Sequence, residues 1–177
     1  MQPLAPWRSS LAQSLHLNRA KPHSRYFQLA TVAPEGEPRN RTVVFRGFRE
    51  NTNQIKVVTD RQSEKIEQIQ YRPRGEICWY FTQTREQFRF FGQLMLVGDR
   101  SCEPSLHKER QQTWQGLSDA AKLQFVGSDR AIATPPTNFC LLLLDPERAY
   151  HLQLRSSPHS RQLYQRDEQQ RWTVREA

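Results

Sequence analysis

The sequence predicts a mainly β protein, a small closed barrel with peripheral helices. Between Arg41 and Val97 the strings RTVVFRGF, IKVVTD, EICWYF and QFRFFGQLMLV alternate or cluster β-branched and aromatic residues over strand lengths, with turn-type residues between them. That is the pattern of consecutive antiparallel strands. Strand-like runs resume at Phe139 and continue towards the end of the chain. Of the seven to nine short strands so counted, only one leads into a helix placed as a crossover, which argues against a parallel α/β sheet.

Each element follows from local pattern. Trp7, Leu11 and Leu15 recur every four residues behind Pro6 and predict an amphipathic helix that closes near Asn18 and plugs one end of the barrel. With the loop around Pro22 it makes an N-terminal segment of residues 1–24. Tyr26 to Val32 is a strand, and the turn Pro34 to Glu37 returns the chain into the strand holding Arg41, a hairpin. Ile55 to Thr59 is the next strand. The period then changes, with Ile66 and Ile69 on one face of a short helix and Ser63 as its N-cap. Tyr71 to Gly75 breaks the chain before the strand 77–81. In the longest strand, Gln87 to Val97, Phe88, Phe90 and Gly92 face the core while Gln87, Arg89 and Phe91 face away. Residues 101–138 read as a helical insertion and loop: two surface helices, the second capped by Ser118, then a loop from Val126 to Asn138 long enough to suit mobility or a role in a site. Strands over 139–144 and 149–154 and a hairpin of 163–166 with 172–174 complete one domain of residues 1–177.

The formal charge is +8, and 21 of the 26 basic residues are arginine. Such an excess suits an anionic partner, but nucleic acid, a phosphorylated cofactor and no ligand at all fit it equally. Cys78, Cys102 and Cys140 are odd in number and lack CxxC spacing. They are expected as free thiols in a reducing compartment, with no metal site. No apolar run approaches the ~20 residues of a membrane span, and the N-terminus has no signal-peptide core, so a soluble cytoplasmic protein is expected.

Arg41, Arg46, Ser63 and Lys65 stand at strand ends and a helix start, where cations, a hydroxyl and unpaired N–H groups converge in a way that suits a phosphate. Any one of these arginines, taken alone, is better read as the solvent face of a strand.

In their order the segments resemble the pyridoxamine 5'-phosphate oxidase family, the FMN-binding split barrels, from about Tyr26 onward. RTVVFR at Arg41 to Arg46 resembles the family's strand that opens with an arginine and ends with a basic residue near the flavin. TDRQSEK at Thr59 to Lys65 resembles its phosphate-binding turn, and REQFRFFG at Arg85 to Gly92 the strand whose early glutamine reaches the flavin from the partner subunit. PHSRQLYQR at Pro158 to Arg166 resembles its C-terminal histidine and arginine motif. The resemblance implies a split β-barrel, an FMN cofactor, a homodimer with FMN at the subunit interface, and oxidoreductase action on a small molecule. It places Arg41 and Lys65 on the FMN phosphate with Thr59 and Ser63 as hydroxyl or N-cap donors. Thr42, Val43, Val44 and Arg46 lie along the ring edge, and Gln87 and a buried Arg161 meet the ring's polar side. Val58 stands where the family has a tyrosine, His151 where it has an aromatic residue, and Glu64 where it has a second arginine, for which Arg61 or Arg46 is expected to substitute. Ser157 replaces the substrate-binding arginine, with Arg155 out of register, and residues 103–125 show no counterpart of the substrate-phosphate grip. His159 is the candidate substrate contact, and no catalytic residue is assigned.

Three other readings stand beside an FMN oxidoreductase of unassigned substrate. They are the pyridoxamine or pyridoxine 5'-phosphate oxidase proper, a flavin or haem binder without turnover, and a basic barrel binding single-stranded nucleic acid through Phe88, Phe90, Phe91, Trp79 and Tyr80. The last is disfavoured because those aromatics alternate as a core face does, so neither nucleic acid nor membrane is expected as a partner.

Overall fold

The computed structural model describes residues 4–101, 103–126 and 133–177. Its strands are β1 (Tyr26–Val32), β2 (Pro38–Val44), β3 (Ile55–Asp60), β4 (Arg74–Phe81), β5 (Glu86–Val97), β6 (Phe139–Gln153), β7 (Ser160–Arg166) and β8 (Trp172–Glu176). Its helices are α1 (Trp7–Leu17), α2 (Lys65–Tyr71), α3 (Pro104–Gln115) and α4 (Asp119–Val126). The strands hydrogen-bond in the order β2-β1-β4-β5-β6-β7-β8, with β3 also on β6. Beyond β2 the chain goes on pairing: Arg46 N–H donates to the Lys56 carbonyl at 2.9 Å, Lys56 N–H returns to the Gly47 carbonyl at 2.9 Å, and Phe48 bridges Ile55. Strands β2, β1, β4, β5, β6 and β3 thereby close into a barrel from which the β7–β8 hairpin extends.

The sequence reads 139–144 and 149–154 as separate strands, but the structure has one strand of 15 residues. The first half of β6 pairs with β3 and the second half with β7, while β5 runs along both. Pro146, which has no N–H to give, faces Gly92 at a bulge between Phe91 and Gly92. A Cβ on Gly92 would lie 2.0 Å from the Asp145 carbonyl oxygen, so only glycine lets the two backbones approach. The proline that signals a break is thus accommodated opposite a glycine.

The alternation expected of β5 is observed, with Phe88 and Phe90 wholly buried. Trp7 and Leu11 of α1 are buried as well, and the Trp7 ring lies 4.7 Å from Phe90 and 6.0 Å from Trp172, so α1 is the expected plug. Each such side chain contributes roughly 2–3 kcal/mol by leaving water. Two helices depart from expectation. Ser63 is not an N-cap: Glu64 holds that position without a side-chain cap bond, and α2 buries Gln68 and Ile69 rather than Ile66 and Ile69. Nor is α3 a surface helix, since it buries Leu106, Arg110, Thr113 and Trp114. Leu106 packs on Val97, Leu141 and Leu143, and the Trp114 ring meets Phe139 edge-on at 5.0 Å. Polar residues at buried positions hid that face, because Glu109 is paired with Lys56 at 2.8 Å and Arg110 donates to the carbonyls of Phe139 and Pro136. The second helix, α4, buries none of its residues and is the surface helix expected.

Cys78 and Cys140 are free thiols. Cys102 and residues 127–132 of the long loop expected before Asn138 lie outside the described residues. Among the described residues no helix is long and apolar enough to cross a membrane.

Candidate functional site

Arg41 leaves β2 beside α2 and, besides a long bond from its Nη1 to the Arg39 carbonyl at 3.4 Å, is fastened by three neighbours. Its Nη1 donates to the Leu29 carbonyl at 3.2 Å and to Thr31 Oγ1 at 2.5 Å, and its Nη2 donates to Gln68 Oε1 at 2.8 Å. Thr31 and Gln68 are themselves buried and joined at 2.6 Å. Lys65, the first residue of α2, donates its Nζ to Thr59 Oγ1 at 2.8 Å and to Ser63 Oγ. Burial lowers the Lys65 pKa, the Arg41 charge lowers it further, and Asp60 and Glu64 oppose the shift. Burial also lowers that of Arg41, with Glu64 opposing and Arg39 reinforcing. Two partly buried cations, the first of which disfavours the charge of the second, make an arrangement that suits an anion.

Beside this seat lies a cavity of about 300 Å³ walled by Thr42, Val43, Val44 and Arg46 from the β2 side, Val58, Thr59 and Asp60 from β3, Lys65, and Ala121, Gln124 and Phe125 from α4. The Val43 side chain belongs to the barrel core, so this residue presents backbone to the cavity, as expected. Arg46 is desolvated, which lowers its pKa, as does Arg25, and its Nε is buried with no hydrogen-bond partner. A guanidinium N–H left unpaired in this way normally finds an acceptor. Of the two arginines expected to substitute at the position of Glu64, Arg46 lines this cavity, whereas Arg61 pairs with Asp99 at 3.3 Å and lines a different one, with Asp99, Arg100 and Cys140.

Gln87 and Arg161 stand apart from this cluster. Gln87 pairs with Leu152, and Leu152 pairs with Arg161, so the three form one row across β5, β6 and β7. The row lines a separate cavity of about 230 Å³ with Arg89, Tyr150 and Gln162. Arg161, expected as a buried guanidinium, is exposed in the single chain. His159 is exposed in the bend ahead of β7 and lines neither cavity. His151 faces inward: it is 3% exposed, stacks on Phe88 at 4.1 Å, and has both ring nitrogens without a hydrogen-bond partner. Arg155 donates to the Gln83 carbonyl. Of the five aromatics named for a nucleic-acid surface, Phe88, Phe90 and Trp79 are fully buried, Phe91 is partly buried and Tyr80 is exposed.

Sequence reasoning missed the supports of the seat. Thr31 and Gln68 are legible only as polar residues on otherwise apolar faces, and the α4 wall left no signal because its cavity side mixes Ala121, Gln124 and Phe125.

Comparisons with known proteins bear on the family and the fold. The family model described as pyridoxamine 5'-phosphate oxidase, FMN-binding domain, matches residues 4–98. The chain is 35% identical over 170 residues to pyridoxine/pyridoxamine 5'-phosphate oxidase 2 of Arabidopsis thaliana, covering 87% of this chain and 86% of the relative. It superposes with a TM-score of 0.96 on a pyridoxamine 5'-phosphate oxidase-related, FMN binding protein from Nostoc punctiforme PCC 73102, at 48% identity over 100% of this chain and 99% of that one. PhzG from Burkholderia lata 383, at 17% identity and a TM-score of 0.78 over 99% and 93% of the two chains, shares the fold. The chain belongs to the pyridoxamine 5'-phosphate oxidase FMN-binding family, and its barrel is the split barrel of that family.

Proposed function

We propose that this protein is an FMN-dependent oxidoreductase of a small molecule, working as a homodimer. The observation that carries the reading is the two desolvated cations, Arg41 and Lys65, beside a cavity that Arg46 also lines. These residues fit FMN. Lys65 and Arg41 would hold the phosphate, with Thr59 and Ser63 completing its polar surround. The backbone of Val43 and Val44 and the Val58 side chain would border the ring, and Arg46 would give its free N–H to a ring or phosphate oxygen. Bound there, FMN supplies a two-electron acceptor. Within one chain Gln87 and Arg161 line a cavity separate from that seat, which supports their meeting the ring of the partner's cofactor, where a guanidinium favours the anionic reduced form. The family membership and the 48% identity to a protein described as FMN binding support the same cofactor.

A second reading, oxidation of pyridoxamine or pyridoxine 5'-phosphate itself, is favoured by the relative from Arabidopsis thaliana. Against it, Ser157 stands where the substrate arginine belongs and Arg155 is engaged with Gln83. Denaturing the purified protein and identifying the released chromophore tests the primary reading. FMN at about one per chain is expected, and a colourless protein that takes up no added FMN would overturn it. Hydrogen peroxide release on adding pyridoxamine 5'-phosphate to the flavin-loaded protein would establish the second reading.

A further inference from the structure

The anion seat contains a carboxylate of its own. Asp60 ends β3, lines the cavity with Lys65, and is one of the charges acting on that lysine. Left free, it would be an intramolecular competitor for any phosphate. It is not left free. One carboxylate oxygen accepts the Gln62 N–H at 2.7 Å and the other accepts Asn138 Nδ2 at 2.7 Å. The same Asn138 nitrogen also donates to the Phe125 carbonyl at 3.2 Å, near the end of the helix that walls the cavity. Asn138 is rigidly mounted: its carbonyl accepts the Arg61 N–H at 2.7 Å, and Arg110, itself 2% exposed, donates to the Pro136 and Phe139 carbonyls on either side of it at 2.6 and 3.0 Å.

We propose that Asn138 is a positioning residue of the cofactor site, whose amide holds the Asp60 carboxylate away from Lys65 and pins the end of α4 to the same point. The proposal rests on the FMN reading for its ligand, but the competition it describes applies to any phosphate at the seat. A side chain that only filled space would not couple to Asp60 in this way.

The test is a mutant cycle on the apoprotein, with FMN, riboflavin and inorganic phosphate as probes. Asn138→Ala should weaken FMN about tenfold, the scale of one charge-assisted hydrogen bond. It should weaken riboflavin, which has no phosphate, much less. Asp60→Asn should leave FMN affinity unchanged or raise it, and the double variant should recover to within about threefold of Asp60→Asn alone. An undiminished tenfold loss in the double variant, or equal losses for FMN and riboflavin, would overturn the proposal. If Asn138→Ala does not fold, Asp60→Asn alone decides the matter, because a tenfold loss of FMN there would make the carboxylate a helper rather than a competitor. The thermal shift produced by inorganic phosphate separates the two readings. Wild-type protein stabilised by phosphate but not by FMN, with the shift lost in Asn138→Ala and restored in the double variant, would sink the cofactor assignment and keep the role of Asn138. No stabilisation by either probe would sink both.

Discussion

Inside the barrel, Trp79 is fully buried with its indole N–H on the Ser24 carbonyl at 2.8 Å, and Phe27, Phe45 and Phe81 lie within 5.2 Å of its ring. At the rim where β2, β3 and α2 meet, Arg41 and Lys65 share a half-buried site and Arg46 keeps an unpaired Nε. Around Trp79 the one polar group is satisfied from within the chain. The rim is held open at a cost in stability, because charging two cations out of water and near each other is unfavourable until an anion arrives. Substitutions in the core should therefore damage folding, and substitutions at the rim should damage binding while sparing or helping the fold.

Trp7→Ala should produce the largest effect, a loss of about 3–5 kcal/mol in urea unfolding, because it empties the plug beneath Phe90 and Trp172. Lys65→Met is the opposite case. It should weaken FMN by about 100-fold in a fluorescence titration, since a charged contact to phosphate is lost, yet leave the apoprotein as stable as wild type or more so. The sign follows from the lowered pKa of Lys65. Its protonated form is disfavoured by folding, so the apoprotein carries that cost at neutral pH. The cost disappears as pH rises through the lowered value towards the ordinary 10.5. The melting temperatures of apo wild type and apo Lys65→Met should accordingly converge in alkaline buffer, and a gap that widens there would contradict this.

Gln68→Leu tests whether the rim is braced from below. It takes the acceptor from Arg41 Nη2 and from Thr31, and should cost roughly 1–3 kcal/mol in unfolding along with a measurable loss of FMN affinity. The smallest expected effect concerns His151, a buried titratable ring. Burial lowers its pKa against the opposing pull of Glu86, 3.6 Å away, so folding favours the neutral ring. Stability from this group is complete above about pH 6.5 and falls as pH drops below that value towards the lowered pKa. Other groups face the same place: Ser14 of α1 donates to Glu86, and Gln153 of β6 donates to it at 3.5 Å. His151→Phe should flatten the acid limb of a melting-temperature profile between pH 6.5 and 5. An unchanged limb would assign it to other titrating groups.

The barrel was largely legible in the sequence because its signals are local. The alternation in β5, the Pro34 to Glu37 turn and the four-residue recurrence of Trp7, Leu11 and Leu15 each depend on a few neighbouring residues. What depended on distant partners was not legible. Asp145–Pro146 reads as a break until Gly92 is known to lie opposite it. The polar buried face of α3 reads as surface until Glu109 meets Lys56 and Arg110 meets the Phe139 carbonyl. The anion seat was found through Arg41 and Lys65, whose charges advertise it, whereas Thr31, Gln68 and Asn138 act only through contacts that the fold creates. The surroundings of Arg161 are of the same distant kind. Its expected burial needs a second surface against β7, and a single chain leaves it exposed.

The most direct measurement is a pair of calorimetric titrations, FMN and riboflavin, into apo wild type and apo Lys65→Met. If the phosphate sits between residues 41 and 65, wild type should prefer FMN over riboflavin by at least about 100-fold, and that preference should largely vanish in Lys65→Met while riboflavin affinity stays the same. Equal affinity for the two flavins in wild type, or a preference for FMN that survives the loss of the lysine, would place the phosphate elsewhere and leave the rim's two cations without the partner assigned to them.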